Sequence, residues 1–318
     1  MPRPNPALPG ALDLRGFRVQ DALRAGTTYQ RLRQRDLVAP FHGVRCVDGT
    51  TTAQRAVALS TVLSPHHAIA GVTAAEILGL PVPRRLGSDA SRPLELVTGK
   101  SMSRCQCRGT TTRRIRDDLL EMFEFQGLRL VTPPLLIAVL GRALAEHELV
   151  TVIDALRTSS EQYPGLAFSP RPFVGAATIA ALPQRYAGLE GIGNVRAAVA
   201  RSRDSVRSPM ETKLRLLLVD AGLPEPEVNP RIELPGGRHC YPDLLWRQAR
   251  VTAEYEGEHH LTDARTWSSD IVRTRVLTEA GFREFRVTKA DLAEPRFGEL
   301  VRQLRHAIST RGPRGADS

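Results

Sequence analysis

The chain of 318 residues has few cysteines, and their spacing excludes the common cysteine-based sites. The four are Cys46, Cys105, Cys107 and Cys240, and none forms a CxxC pair. Two cysteines separated by one residue, without a second pair, do not complete a zinc knuckle. We therefore expect four reduced thiols in a reducing compartment.

Long hydrophobic runs are also missing. No apolar stretch reaches the roughly 18 residues that a membrane-spanning helix needs. The first residues, Met1-Pro2-Arg3-Pro4, do not have the charged-then-apolar pattern of a signal peptide. We expect a cytoplasmic protein with no membrane partner. Its length predicts two or three folded domains.

Lysine is also rare: the 44 basic residues include only three lysines, Lys100, Lys213 and Lys289. The formal net charge is +10, which favours a polyanionic partner. Arginine makes paired hydrogen bonds to phosphates and guanine edges. An arginine bias is also typical of GC-rich genomes, so the charge supports nucleic-acid binding only weakly. Residues 84–116 hold nine basic and two acidic residues, which is consistent with a DNA-facing edge or with a solvated surface.

The first 50 residues show the order of a winged helix-turn-helix. A short helix over 19–25 is stopped by Gly26, a basic helix is predicted over 29–35, and residues 37–47 have the pattern of a strand pair. We therefore predict a DNA-binding head over 13–50. The alternative is a small helical cap on the following domain.

A resemblance supports the head. The residues Ala25-Gly26-Thr27, the run 32–37 and Phe41-His42-Gly43-Val44 resemble the winged-helix head of AbiEi-type antitoxins. The resemblance implies DNA binding by Arg31, Arg33 and Arg35 on the recognition helix.

The middle of the chain, residues 51–200, predicts an α+β domain. Helices are predicted over 54–63 and 72–80, and strand-like alternation covers 94–98 and 104–132. A long apolar helix is predicted over 133–159. A segment rich in proline, glycine and serine follows it and predicts a connector.

Residues 205–310 predict an α/β domain with a mixed sheet flanked by helices. A helix begins at Ser208 and ends at Gly222. The remaining elements are predicted as strands over 231–234, 241–246, 251–256 and 282–287, and as helices over 267–280 and from the capping box at 288–291 to about Ile308.

Acidic residues mark two neighbouring strands of this domain. Asp243 follows Pro242 in an apolar strand, and Glu254 and Glu256 flank Tyr255, so that both project to one face. Strand pairing would bring Asp243 near one of them. Crowded carboxylates repel, and a hard divalent cation relieves the repulsion, which predicts a magnesium or manganese site. The alternative is a set of exposed carboxylates at a strand end.

Several strings in this order resemble the PD-(D/E)XK nuclease superfamily, in its branch related to the very-short-patch-repair (Vsr) endonuclease. They are Ser208-Pro209-Met210-Glu211, Tyr241-Pro242-Asp243, Glu254-Tyr255-Glu256-Gly257-Glu258-His259-His260 and Trp267-Ser268-Ser269-Asp270-Ile271-Val272-Arg273. The resemblance covers about residues 205–292.

The resemblance implies a catalytic set and a metal site. The catalytic residues would be Asp243, Glu254, Glu256, His260 and Glu211, with Asp243 and Glu254 as ligands of Mg²⁺ or Mn²⁺. The lysine of the superfamily motif is absent, as in the Vsr branch, and Glu256 stands where aspartate is usual.

Two of these residues have a simpler interpretation. Glu211 lies three residues after Ser208, where a capping box alone would explain it. Arg273 is one helical turn from Asp270, so it would form a surface ion pair or contact DNA phosphate.

The sequence thus predicts a metal-dependent endonuclease, or a nuclease-fold DNA-binding protein, acting on double-stranded DNA. The alternatives are a non-catalytic transcriptional regulator and an antitoxin that binds a toxin partner. A homodimer is compatible with each of them.

Overall fold

The computed structural model describes residues 5–87, 92–234, 237–257 and 274–311, and it has the expected mixture of helices and mixed sheets. The contacts divide the chain into two compact units. The first comprises Met1–Val152, Gly165–Ser169 and Val174–Ala200, and the second comprises Ile153–Pro164, Pro170–Phe173 and Arg201–Ser318. No helix within the described ranges is both long and apolar enough to cross a membrane.

The first unit begins with strand β1 (Phe17–Arg18), helix α1 (Val19–Arg24) and strand β2 (Val44–Arg45), which pairs antiparallel with β1. The predicted basic helix over 29–35 is wrong in extent, since only a 3-10 turn over Arg31–Arg33 forms. Leu32 is the sole buried apolar side chain of that turn, so there is no apolar stripe to support a longer helix. The predicted wing is reduced to one bridge between Val38 and Cys46.

Two helices and a five-stranded sheet follow in the first unit. Helix α2 (Thr52–Ser60) begins with a capping box between Thr51 and Gln54, which confirms the predicted helix there. Helix α3 (Gly71–Ile77) confirms the next one. The strands are β3 (Ala68–Ile69), β4 (Leu94–Gly99), β5 (Thr110–Ile115), β6 (Met122–Phe125) and β7 (Leu128–Val131).

The sheet order is β5-β4-β3-β7-β6, so β5 is an edge strand. It pairs with β4 in parallel from Leu94↔Thr110 to Gly99↔Ile115. Its outer side faces no other strand of this sheet, and its sequence is rich in threonine and arginine, as is common where an edge must not pair with another chain.

The long helix predicted over 133–159 is two helices, α4 (Pro133–Leu140) and α5 (Glu146–Arg157). The side chain of Asn194 donates hydrogen bonds to the carbonyl oxygens of Gly141 (2.8 Å) and Leu144 (2.9 Å). These bonds pair carbonyl groups of the turn between α4 and α5, and they stabilise the break. Asn194 belongs to α7 (Ile192–Arg201), which follows α6 (Ala176–Arg185); neither helix was predicted from the sequence.

The second unit contains the predicted mixed sheet. Helix α8 (Pro209–Asp220) precedes it. The strands are β8 (Glu227–Val228), β9 (Ile232–Leu234), β10 (Arg238–Cys240), β11 (Leu244–Trp246), β12 (Val251–Tyr255) and β13 (Arg283–Val287). Residues 274–279 are helical (α9), and α10 covers Arg296–Arg311 after a 3-10 turn over Lys289–Leu292.

The main sheet has the order β13-β12-β11-β8, and β9 and β10 form a separate pair. Strand β12 is parallel to β13 and antiparallel to β11. One face packs Leu244, Trp246 and Ala253 with Leu214 of α8 and Leu304 of α10. The opposite face packs Leu245 with residues of β9, β10 and α9. The sheet therefore lies between two layers, as the alternating pattern predicts.

A buried ion pair fixes α8 within the second unit. Asp154, near the end of α5, has no exposed surface, and Arg215 of α8 is 1% exposed. Asp154 accepts hydrogen bonds from the Thr212 hydroxyl (2.9 Å) and the Arg203 backbone (2.7 Å), and the Arg215 guanidinium lies 3.5 Å away. Burial raises the pKa of Asp154 to about 6, against the opposing effect of Arg215.

The raised pKa of Asp154 predicts a pH-dependent stability. The folded state binds this proton more tightly than the unfolded state, whose pKa is near 3.8. The resulting stabilisation is complete below pH 3.8 and is lost as the pH rises through about 6. A pKa difference of about 2 corresponds to about 3 kcal/mol. We expect the free energy of unfolding of the wild type, relative to Asp154→Asn, to fall by up to that amount between pH 4 and 7 in urea titrations.

The Asn variant keeps the shape of the side chain and removes its titration, so the effects of all other groups cancel in the comparison. A constant difference between the two proteins across this pH range would contradict the prediction.

Candidate functional site

Four polar residues lie in one row across the main sheet of the second unit. The pairing Leu244↔Ala253 places Asp243 opposite Glu254 at the next position of the antiparallel ladder. Glu254 pairs with Arg286 of β13. On the other side, the Asn229 backbone N–H donates to the Asp243 carbonyl oxygen at 2.9 Å. The row Asn229, Asp243, Glu254, Arg286 therefore crosses all four strands at one end of the sheet.

The carboxylate of Asp243 is held by the neighbouring strand. Its Oδ2 accepts a hydrogen bond from the Tyr255 backbone N–H at 2.8 Å. This contact orients the side chain toward the end of β12, next to Glu254. The residue before it, Pro242, cannot donate a backbone hydrogen bond, which is consistent with the bend at Asp243 just before β11.

Glu256 has a partner that the sequence did not predict. Its Oε1 lies 2.8 Å from Nη1 of Arg286, and the two side chains are 38% and 37% exposed. Arg286 also donates to the Thr274 hydroxyl of α9 (2.8 Å) and to Glu284 (3.3 Å). A guanidinium therefore lies beside the acidic residues, in a protein whose sequence lacks the lysine of the superfamily motif.

Glu211 is a buried acid rather than half of a capping box. It is 6% exposed. Its Oε2 accepts hydrogen bonds from the Arg207 backbone (2.9 Å) and the Asn229 side chain (2.6 Å). The Ser208 hydroxyl does cap α8 by accepting from the Glu211 N–H, but the reciprocal bond from Ser208 to Glu211 is replaced by the one from Arg207. Burial raises the pKa of Glu211.

Asn229 connects Glu211 to the row of residues across the sheet. Its side chain donates to Glu211, and its backbone N–H donates to Asp243. Its φ of 45° lies in the left-handed region, which asparagine tolerates better than most residues. The sequence offered this residue only as part of a proline-rich loop.

The predicted metal ligands have the right chemistry for magnesium. Among the described residues, no group of three His, Cys, Asp or Glu side chains is arranged to hold a metal ion. Mg²⁺ is usually bound by one or two carboxylates, with water and substrate phosphates as its other ligands. Asp243 and Glu254, opposed on neighbouring strands, meet that requirement in number and chemical type.

Two predicted site residues, His260 and Arg273, lie outside the described residues. Asp270, considered as the ion-pair partner of Arg273, also lies outside them. The roles assigned to these three residues remain predictions from the sequence.

An aromatic and basic cluster lies beside the acidic residues. The Arg207 guanidinium is 4.7 Å from the centre of the Tyr241 ring, and His239 meets the same ring edge-on at 5.5 Å. Arg207 also donates its backbone N–H to Glu211, and Tyr241 is two residues before Asp243. The cluster thus presents positive charge and a flat ring near the carboxylates.

The structure corrects the role predicted for Arg31. Its side chain is 8% exposed, and it forms two hydrogen bonds to Asp36, of 3.0 and 2.8 Å. A buried, paired guanidinium cannot also reach a DNA groove. Arg33 and Arg35 are exposed, and their proposed DNA contacts remain predictions.

The comparisons with known proteins identify no function. No protein-family model matches the chain, and no solved structure matches it. Two uncharacterized proteins of Mycobacterium tuberculosis, from the strains CDC 1551 / Oshkosh and ATCC 25618 / H37Rv, are each 32% identical over 95 residues. The match covers 30% of this chain and 35% of each relative, so it spans about a third of their length.

Asn229 provides a test of the Glu211 arrangement. Asn229→Ala removes the hydrogen bond to a buried carboxylate and also strains the left-handed backbone, whereas Asn229→Gly removes only the hydrogen bond. Hydrogen bonds to charged groups contribute about 1.5–3 kcal/mol. We expect both variants to lose about that much free energy of unfolding in guanidinium titrations, with alanine losing more. If both variants are as stable as the wild type, Asn229 does not support Glu211.

The head can be tested by comparing its arginines. Arg31→Ala removes the cationic partner of Asp36, which then keeps only the hydrogen bond from the Asn5 side chain among the described contacts, and opens a space in the first unit, so it should lower the thermal unfolding temperature. Arg33→Ala and Arg35→Ala change exposed side chains and should leave that temperature within about 1 °C, as is usual for exposed sites. Calorimetry of the three single variants measures this difference, and equal unfolding temperatures would contradict the structural role of Arg31.

Proposed function

We propose that the second unit is a metal-dependent DNA endonuclease domain, related to the PD-(D/E)XK superfamily through the Vsr-like branch, that hydrolyses phosphodiester bonds in double-stranded DNA. The observation that carries the proposal is the register of β11 and β12, which opposes Asp243 and Glu254 at the end of the sheet. Two aligned carboxylates beside a buried acid and a cationic cluster are an arrangement suited to metal-assisted hydrolysis.

Asp243 and Glu254 would hold Mg²⁺ or Mn²⁺. When bound, the metal supplies a water of lowered pKa and positive charge facing the phosphodiester. The Tyr255 N–H keeps the Asp243 carboxylate oriented, because it occupies one of its oxygens. His260, from the sequence, is the proposed proton-transfer residue.

Glu211 and Asn229 position this site. Asn229 links the buried Glu211 carboxylate to the backbone of Asp243, so a shift of α8 is transmitted to the residue just before β11. In this proposal, Glu211 acts through Asn229 on the placement of Asp243, and it also adds negative charge near the site.

Arg286 offsets the unusual acid at position 256. The ion pair with Arg286 at 2.8 Å partly neutralises Glu256, which would otherwise repel the DNA phosphate. The Arg207 and Tyr241 cluster adds a second positive group on the side of Glu211. Arginine suits both positions because its planar guanidinium binds phosphate through two hydrogen bonds.

We also propose a cytoplasmic location. Cys46, Cys105, Cys107 and Cys240 are all free thiols, which agrees with the reducing compartment inferred from their spacing. A homodimer or a toxin partner remains a prediction.

The endonuclease proposal is tested by nicking of supercoiled plasmid with Mg²⁺ or Mn²⁺. Asp243→Asn removes a ligand charge with little change in shape, so cleavage should fall by at least about 100-fold while DNA binding is retained, since one negative charge facing the phosphates has been removed. Glu233→Gln is the matched control, because Glu233 is an exposed carboxylate of the same unit whose ion-pair partner among the described residues is Arg231. It should cut at the wild-type rate.

EDTA should abolish nicking by the wild type and by Glu233→Gln. If the Asp243 variant cuts as fast as the wild type, the activity comes from a contaminant or from another site, and the proposal fails.

A second candidate function is a DNA-binding regulator that has lost cleavage. One observation favours it: Glu256, which stands where aspartate is usual, is held by Arg286 in an ion pair. Wild-type protein that binds one duplex tightly but cuts no DNA with any divalent metal would establish the regulator in place of the enzyme.

A further inference from the structure

The first unit contains an open groove with strongly basic walls. Its volume is about 940 Å³, and strands β4 and β5 form part of it. Six basic and two acidic side chains line it, an excess of four positive charges. The basic residues are Arg92, Lys100, Arg104, Arg113, Arg114 and Arg142.

These charges come from different parts of the fold. Arg113 and Arg114 are on the edge strand β5, Lys100 and Arg104 follow the end of β4, and Arg142 follows α4. If these residues only formed a solvated surface, their charges would not need to meet in one cavity. If they only protected the edge strand from pairing, charges on β5 alone would be enough. Charges brought from three segments to one concavity indicate an anionic ligand.

Three of the basic groups are available to that ligand. Lys100, Arg104 and Arg114 are exposed, and their side chains form no ion pair with any acid in the described ranges of the chain. Some exposed arginines elsewhere in the unit are instead neutralised locally, as in the pairs Arg15–Asp13 and Arg24–Asp21.

The two acids of the groove do little to cancel this charge. Glu190 is occupied by Arg142 at 3.1 Å. Glu95 is half-buried, and burial raises its pKa. Burial also lowers the pKa of Arg113, the effect expected for a cation withdrawn from water. An anion bound in the groove would favour the charged form of Arg113.

Extended sugar-phosphate chains fit this arrangement better than a compact anion. The cavity is open to solvent and takes its cations from separate segments of the chain, and Thr111 and Thr112 of β5 add hydroxyl donors. Arginine, lysine and threonine side chains are the groups that proteins use against DNA phosphates. We propose that this groove binds the phosphate backbone of duplex DNA.

The groove is a DNA-binding surface of the first unit in its own right and does not depend on cleavage by the second. If the groove binds phosphates, the affinity of the protein for duplex DNA should be independent of DNA sequence and should fall as the salt concentration rises. Each phosphate contact contributes about 0.9 to the slope of log affinity against log salt concentration for duplex DNA.

The experiment measures the binding of the full-length protein to a fluorescein-labelled duplex of random sequence by anisotropy, in EDTA, over a range of salt concentrations. The triple variant Lys100→Gln, Arg104→Gln, Arg114→Gln should bind at least about tenfold more weakly, and its salt slope should be smaller by about 2–3. The matched control is Arg15→Gln, Arg24→Gln, Arg85→Gln, which removes the same charge from exposed residues paired with acids in the same unit. We expect the control to lose less than about threefold.

Equal losses in the two triple variants would show a general effect of net charge and would overturn the proposal, as would unchanged affinity of the groove variant. The proposal would also be overturned, in favour of an acidic polypeptide ligand, if polyglutamate competed as effectively as unlabelled duplex of the same charge.

If the groove triple variant unfolds at a lower temperature than the wild type, the double variant Lys100→Gln, Arg104→Gln replaces it, with an expected change in salt slope of about 2. Because EDTA prevents cleavage, and Asp243→Asn leaves the groove intact, a failure of the endonuclease proposal gives a different result from a failure of this one.

Discussion

The register between β11 and β12 is the constraint on which the second unit depends. With Leu244 opposite Ala253, the side chains of Leu244, Trp246 and Ala253 face α8 and α10, and Leu245 faces the other layer. Because side chains alternate along a strand, a slip by one residue would turn each of these groups to the opposite face. The same register aligns Asp243 with Glu254. The register that packs the core therefore also sets the backbone positions of the two acids.

The fold of this unit was largely predictable because its signals are local. Alternating apolar residues indicate β11 and β12, and the capping serine at 208 indicates α8. The acids in these strands predicted that Asp243 would lie near Glu254 or Glu256, and the ladder of β11 and β12, extended by one position, places it opposite Glu254. The partners of those acids were not predictable, since Arg286 is 30 residues from Glu256 and Asn229 is 18 residues from Glu211. Such contacts depend on the tertiary arrangement, and the local patterns in a single sequence do not show which distant residues will meet.

The errors in the first unit have the same physical origin. The segment 29–35 has helix-forming residues, but it buries only Leu32 and Arg31, and the latter binds Asp36 instead of facing solvent. Tertiary burial decided the structure against local propensity. The break after α4 likewise depends on Asn194, more than 50 residues beyond Gly141. In contrast, the excess of basic residues in segment 84–116 was visible in the sequence. Only the fold shows that charges from this segment meet in one groove.

The pair between Asp154 and Arg215 determines how the second unit can be separated from the rest of the chain. The end of α5 belongs to this unit, although 47 residues lie between Arg157 and Ser205, where the nuclease-like sequence resemblance begins. A fragment that starts at residue 205 would keep Arg215 inside the core and remove Asp154, leaving a buried guanidinium with Glu225 as its remaining acidic partner. The unit is thus discontinuous in sequence, and it can close only after α5 has returned across a loop of about 60 residues, which is an entropic cost of folding. Synthesis from the N-terminus delivers α5 first, so the piece that completes the core is already available when α8 emerges.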